Sequence, residues 1–332
     1  MASFRAFRVE KTEDRQFPRS IIERDVADLP DGDLLIDVAW SSLNYKDGLS
    51  ATGHPGVSRN FPHTPGIDAA GTVVESSSSD FSPGDAVIAI GFDLGMNTPG
   101  GFGQKIRIPA GWAVPLPNGL DARSSMILGT AGFTAALSVH KLETSGMRPE
   151  GGPVLVTGST GGVGSIAVKL LAHLGYEVHA VTGKASSHDF LRGLGARKIL
   201  SREDALQGAE RPLLKPRWGG AVDTVGGPIL FNAMKALRYG ASLAACGLVA
   251  SPEIPATVFP FILRGVKLVG IDSVYASMPV REELWRRLGA DLKPAGLLET
   301  IAEEITLEGV IGATAKILKG EIRGRTLVRL RD

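Results

Sequence analysis

The stretch Val154-Leu155-Val156-Thr157-Gly158-Ser159-Thr160-Gly161-Gly162-Val163-Gly164 is the part of this chain whose residue types and spacing most directly imply chemistry. A β-branched run enters a glycine turn, and an apolar-periodic stretch, Ser165 to Leu171, leaves it. Strand, turn and helix in that order make an anion site. Backbone N–H groups and the positive end of the helix point at a pyrophosphate, and a Cβ at the closest approach would push it away. Gly161 and Gly164 take the second and third places of the GxGxxG fingerprint, with Ser159 where the first glycine would stand. The predicted ligand is a dinucleotide.

Which dinucleotide is decided about 20 residues further on, where an NAD enzyme carries an Asp or Glu for the ribose 2′-hydroxyl. Here the chain reads Ala180-Val181-Thr182-Gly183-Lys184-Ala185-Ser186, without a carboxylate. Lys184 supplies a cation for a 2′-phosphate, Thr182 and Ser186 supply hydroxyls, and Arg202 is a second cation. NADPH is therefore the expected cofactor. Two rival phosphate-binding classes fail. A short-chain dehydrogenase needs a Tyr followed four places later by Lys, but Tyr176, Tyr239 and Tyr275 are followed there by Ala180, Leu243 and Pro279. A Walker loop needs Ser or Thr after its Gly-Lys, and Gly183-Lys184 is followed by Ala185.

Zinc chemistry would need clustered Cys, His or carboxylate ligands, and one Cys with six scattered His residues offers no recognisable set, so no metal site is expected. Neither a GxSxG elbow nor an HExxH pair is present, which argues against the common hydrolases. The net charge of +1, from 36 basic and 35 acidic side chains, gives no broad field for nucleic acid. No apolar run is long enough to span a bilayer and the opening residues carry no apolar signal core, so a cytoplasmic protein is expected. The lone Cys246 excludes an internal disulfide and fits a reducing compartment.

The elements that must position this turn follow from patterning. Short apolar stretches in the first third, Leu34 to Trp40, Gly71 to Glu75 and Ala86 to Ile90, are punctuated by Pro, Gly and Asp and predict an antiparallel β-rich module. Thr130 to Leu142 then has helical spacing. From Pro153, strand-like and helix-like runs alternate and predict about six parallel strands with crossover helices, including a helix over Ile229 to Tyr239. Helices around Arg281 to Leu292 and Leu307 to Leu318 precede a final strand, Thr326 to Leu330, expected to return to the first domain.

Pro65-Gly66-Ile67-Asp68-Ala69-Ala70-Gly71-Thr72-Val73, Pro83-Gly84-Asp85-Ala86-Val87 and Gly129-Thr130-Ala131-Gly132-Phe133-Thr134-Ala135, followed by the Gly158 to Gly164 turn, resemble the medium-chain dehydrogenase/reductase superfamily. Ile67-Asp68 stands where zinc-dependent alcohol dehydrogenases carry His-Glu, which is similar to the zinc-free branch. Ser41 to Gly48, Cys246-Gly247-Leu248, Pro260 to Arg264 and Gly270 to Ser273 resemble a narrower group, the quinone oxidoreductases and acrylyl-CoA reductases. The loop Gly91 to Gly101 looks more like the quinone-oxidoreductase members than the acyl-CoA ones.

The resemblance implies an α/β fold with a GroES-like β-rich catalytic domain over 1–124, completed by 296–332, and a Rossmann doubly wound parallel sheet over 125–295, usually dimeric. It implies NADPH contacts by Tyr45, Thr160, Gly161, Gly162, Val163, Thr182, Gly183, Lys184, Arg202, Leu248, Ile262 and Ser273, to which we add Thr130, Gly158 and Gly164. The implied reaction passes hydride to an activated double bond or quinone in a cleft between domains. Tyr45 is the first candidate donor to the resulting oxyanion, with Asn44 to orient it and Asp47 either to tune them or to cap the next helix. Tyr45 packing on the cofactor is an equal alternative for that residue. A non-enzymatic NADPH-binding protein, as among the crystallin relatives, is the alternative for the whole chain.

Overall fold

Leu34, Ile36 and Val38 are fully buried while Asp37 between them meets Lys105, the alternation of a strand with one face in a core. Patterns of this kind recur through the computed structural model, which describes residues 3–293, 296 and 302–331. In chain order the elements are β1 (Ser3–Val9), β2 (Arg19–Asp25), β3 (Leu34–Ser42), α1 (Tyr45–Ala51), β4 (Asp68–Ser76), β5 (Ala86–Ile90), β6 (Lys105–Ile108), β7 (Ala113–Pro115) and α2 (Ala122–Thr144). There follow β8 (Val154–Val156), α3 (Gly162–His173), β9 (Val178–Val181), α4 (His188–Gly193), β10 (Ala196–Leu200), α5 (Arg202–Leu206), β11 (Trp218–Asp223), α6 (Gly227–Lys235), β12 (Leu237–Ala245), α7 (Phe259–Arg264) and β13 (Lys267–Gly270). The last are α8 (Met278–Leu288), β14 (Ala302–Thr306), α9 (Val310–Leu318) and β15 (Arg325–Arg329).

The chain divides into two units: Met1–Thr130 with Val274–Ala290 and Ile301–Asp332, and Ala131–Ser273 with Asp291–Thr300. The first is built on a seven-stranded sheet ordered β14-β15-β3-β4-β5-β7, with β6 also on β3. All of its pairs are antiparallel except β14 with β15. Phe7, Leu34, Ile36, Phe102, Ile106, Ile108 and Val328 fill its core. The second unit is a six-stranded sheet ordered β10-β9-β8-β11-β12-β13, parallel throughout. Its order reverses between β8 and β11, the switch point where doubly wound sheets bind ligands outside the carboxyl ends of their strands.

The fold departs from the sequence pattern in three places. The predicted helix over Ile229 to Tyr239 stops at Lys235, because Leu237 pairs with Trp218 and starts β12, so that sheet pairing overrides helical spacing. β14 was not predicted at all. The helix placed at Thr130 begins about two turns earlier at Ala122, capped by Asp121, whose carboxylate accepts from Ser124 N at 2.6 Å. At Gly129 that helix is broken by a left-handed φ of 52°. Glycine is required there by what lies beside it: a Cβ would meet Asp68 Oδ2 at 2.3 Å and Ser42 Oγ at 2.6 Å.

Candidate functional site

β8 is fully buried and delivers Thr157 to the switch point. Thr157 Oγ1 donates to Asp223 Oδ1 at 2.6 Å and accepts from Thr224 N at 3.1 Å, which locks the carboxyl ends of β8 and β11 together. Gly158 follows in the left-handed region at φ 58°, where a Cβ would strike Thr224 Oγ1 at 2.2 Å. Gly164 lets α3 close on the turn, since a Cβ would lie 2.3 Å from Gly158 O. The departure from the fingerprint has a local reason. Ser159 is fully buried with its hydroxyl donating to Val156 O at 2.7 Å, so this position has both room and a partner for a side chain. Gly161 is the N-cap of α3, and Gly162, Val163 and Gly164 form its first turn.

One pocket of this unit brings together Gly158, Thr160, Thr182, Gly183, Lys184 and Arg202. Arg202 lies across Gly183, where a Cβ would meet its Nε at 2.8 Å, and Lys184 N donates to Thr182 Oγ1 at 3.1 Å. Gly158 and Thr160 of the turn thus share one space with both sequence-selected cations, whereas Gly161, Gly162, Val163 and Gly164 do not line it; anion-binding groups of this kind suit phosphates. Val225 and Ile229 also line it and were missed by sequence reasoning. Their signal was their position just past β11, the strand that meets β8 at the switch point. Leu248, Ile262 and Ser273 do not line this pocket, and Leu248 and Ile262 are 61% and 70% exposed. Burial, with the charge of Asp223 beside it, pushes the Cys246 thiol up to about 12.

The remaining candidates, Asn44, Tyr45, Asp47 and Thr130, belong to the first unit and surround a buried charge cluster. Asp68, fully buried at the start of β4, accepts Thr130 N at 3.0 Å, Asn44 Nδ2 at 2.8 Å and the hydroxyls of Ser42 and Thr130. Arg325 of β15 stands opposite, with Nη2 at 3.6 Å from Asp68 Oδ2. Its other N–H groups donate to Ile127 O at 2.9 Å, Leu43 O at 3.1 Å and Asn44 Oδ1 at 3.2 Å. Asp47 accepts Asn44 N at 2.7 Å, Ile67 N at 2.9 Å and Gly66 N at 3.2 Å. Asn44, the N-cap of α1, therefore spends its amide on the cluster, and Asp47, third in α1, holds the cap by accepting Asn44 N. Tyr45, the first residue of α1, is 38% exposed, and among the described residues nothing hydrogen-bonds its hydroxyl.

Burial, and then the charge of Asp68, raise the Asp47 carboxyl to about 7. Burial likewise lowers Arg325, against the pull of Asp68 and Asp47. Among the described residues no group of three or more His, Cys, Asp and Glu is placed to hold a metal ion. No helix among them is long and apolar enough to cross a membrane.

Residues 30–118 match the alcohol dehydrogenase GroES-like domain and residues 162–290 the zinc-binding dehydrogenase domain. The chain is 50% identical to a Bacillus subtilis protein named "Putative quinone oxidoreductase YhfP", over 91% of this chain and 92% of that one. It is 46% identical to the acrylyl-CoA reductase AcuI of Ruegeria pomeroyi, over 98% of each. Among solved structures, the YhdH oxidoreductase of Salmonella enterica in complex with NADP superposes with a TM-score of 0.95 at 45% identity, covering 98% of this chain and 100% of that one. The Bacillus protein, solved with NAD bound, superposes with a TM-score of 0.96 at 47% identity, covering 99% and 100%. The fold and the site define a medium-chain dehydrogenase/reductase. Within that superfamily the chain belongs to the subfamily of quinone oxidoreductases and acrylyl-CoA reductases.

The raised Asp47 has a consequence for stability. A carboxyl that titrates near 7 when folded and near 3.8 when unfolded favours the folded state fully below pH 4, and that contribution is lost as pH rises from about 4 to about 7. In Asp47→Asn that loss should disappear, so the variant's denaturation midpoint should fall less than the wild type's between those pH values. Parallel midpoint profiles would contradict the assignment.

Proposed function

We propose that this chain is a zinc-independent, NADPH-dependent oxidoreductase that reduces an activated carbon–carbon double bond or a quinone. The observation that carries the cofactor half is the pocket in which the backbone turn, Lys184 and Arg202 converge with no carboxylate in the place of a ribose 2′-hydroxyl acceptor. The NADP bound in the Salmonella relative supports it, and the NAD bound in the Bacillus relative makes the two cations the point to test. The non-enzymatic alternative is not favoured, because relatives aligned over more than nine-tenths of the chain carry enzyme names.

In this reading N–H groups of Thr160, Gly161, Gly162 and Val163 hold the pyrophosphate, and Gly158 and Gly164 give it close approach. Lys184 and Arg202 hold the 2′-phosphate, with Thr182 and Gly183 shaping that end; Leu248, Ile262, Ser273 and Thr130 complete the proposed contacts. Bound there, NADPH supplies a hydride to the acceptor. Tyr45 donates a proton or hydrogen bond from its hydroxyl to the oxygen where negative charge develops. Asn44 and Asp47 act on Tyr45 only by fixing α1. The zinc-independent reading is supported by Ile67, which has no ligating atom where the zinc-dependent branch has His, and by Asp68, which is committed to Thr130, Asn44, Ser42 and Arg325. We place the protein in the cytoplasm, acting on a small molecule.

We propose a homodimer as well. β13 is the outer strand of its sheet, and Leu268 on it and Phe259 and Leu263 on the preceding α7 are exposed apolar side chains. A second copy of the same edge would pair the strand and cover them. Light scattering should give the mass of two chains, reduced to one by Leu268→Arg; a wild-type mass of one chain would end this part.

Lys184→Ala should weaken NADPH binding by about tenfold or more while leaving NADH within about twofold, as measured by nicotinamide fluorescence titration. An equal change in both would remove Lys184 from the 2′-phosphate. Tyr45→Phe should lower turnover by about 10²-fold in an enone or quinone assay with NADPH affinity nearly unchanged. Full turnover would take Tyr45 out of the chemistry.

A further inference from the structure

Phe92 is one of two non-glycine residues with a left-handed backbone among the described residues, at φ 51°. A bulky aromatic residue persists there only when its surroundings over-determine it. Its ring stacks on Trp112 at 5.5 Å between centroids and 3° between planes. The guanidinium of Arg281 covers the ring at 4.4 Å from its centroid, and Phe92 N donates to Val274 O at 3.1 Å.

Arg281 is fully buried on α8, and it does more than stack. Its Nη1 donates to Ile90 O at 3.0 Å, its Nε to Ala276 O at 2.9 Å and its Nη2 to Val274 O at 2.6 Å. One rigid fork therefore pins Ile90 at the end of β5, the ring of Phe92 two residues on, and the segment that follows Ser273 in the chain. Lysine has neither the fork nor the flat face.

The loop that starts at Phe92 is tied down at its far end too. Gly100 N donates to Thr64 O and Gly101 N to Gly66 O, each at 2.8 Å, and buried His63 donates through Nε2 to Gly95 O at 2.9 Å. Gly66 N and Ile67 N in turn donate to Asp47, which holds the cap of the helix that begins with Tyr45. Loop and Tyr45 thus share one frame, and Arg281 closes the frame at the only strained residue of the loop.

We propose that Arg281 is a positioning residue for the acceptor: by holding Phe92 left-handed it fixes residues 92–98 relative to Tyr45, and so sets how tightly an enone or quinone is bound. This rests on the oxidoreductase reading above. Arg281 touches neither acceptor nor cofactor in it.

The test is Arg281→Lys, compared with Phe92→Gly, which removes the ring and the backbone strain together. Each should raise the acceptor KM by about tenfold with kcat within about threefold and NADPH affinity within about twofold, and the double variant should be no worse than either single one. Hydrogen exchange at 92–98 should rise in both single variants. A lower melting temperature with unchanged KM overturns the proposal, as does unchanged exchange in the loop. If the wild-type protein reduces no acceptor, the oxidoreductase reading fails, while the exchange measurement still judges the clamp by itself.

Discussion

Two carboxylates and one guanidinium buried together constrain the first unit more than any other interaction in it. Removing charges from water costs several kcal/mol per ion, and the cost is offset only where every donor and acceptor is met with good geometry. That requirement explains residues that otherwise look unrelated. Gly129 must lack a Cβ because Asp68, Ser42 and Arg325 converge on the space beside it. Thr130 offers both its N–H and its hydroxyl to Asp68, Asn44 bridges Asp68 to Arg325, and β15 crosses back to β3 carrying the arginine. The start of α1, and Tyr45 with it, is where this knot places it.

The second unit works by different means. Its buried carboxylate, Asp223, is met by Thr157, Val225 and Gly226, and the proposed anion site beside it draws on backbone N–H groups at the start of α3 and on the absence of side chains at Gly158 and Gly164. In the proposed reading, selectivity is left to side chains lining the pocket, Lys184 and Arg202, whose replacement need not disturb the fold. Relatives with this fold have been solved with NADP and with NAD.

Much of this was legible in the sequence because it is local. Period-two and helical patterns after Pro153 foretold a parallel six-stranded sheet, and Gly158, Thr160 and Lys184, picked out by local spacing, do line one pocket. What escaped depends on partners distant in the chain. No pattern near Arg325 or Asp68 announces that they meet, so Asn44 and Asp47 read as chemical groups when their side chains are spent on holding α1. β12 begins where helical spacing still runs, because Trp218 supplies the competing partner for Leu237. Phe92 and Arg281 gave no local signal, since a left-handed aromatic residue is set by its surroundings.

The coupling between Asp68 and Arg325 is the interaction on which the position of α1 depends. A double-mutant cycle with Asp68→Asn and Arg325→Met, read as unfolding free energy, measures it directly. Each single variant should lose about 3 to 5 kcal/mol, and the double variant clearly less than the sum, with a coupling of about 2 to 3 kcal/mol. Strict additivity, or single variants as stable as the wild type, would show that the buried knot does not hold the site in place.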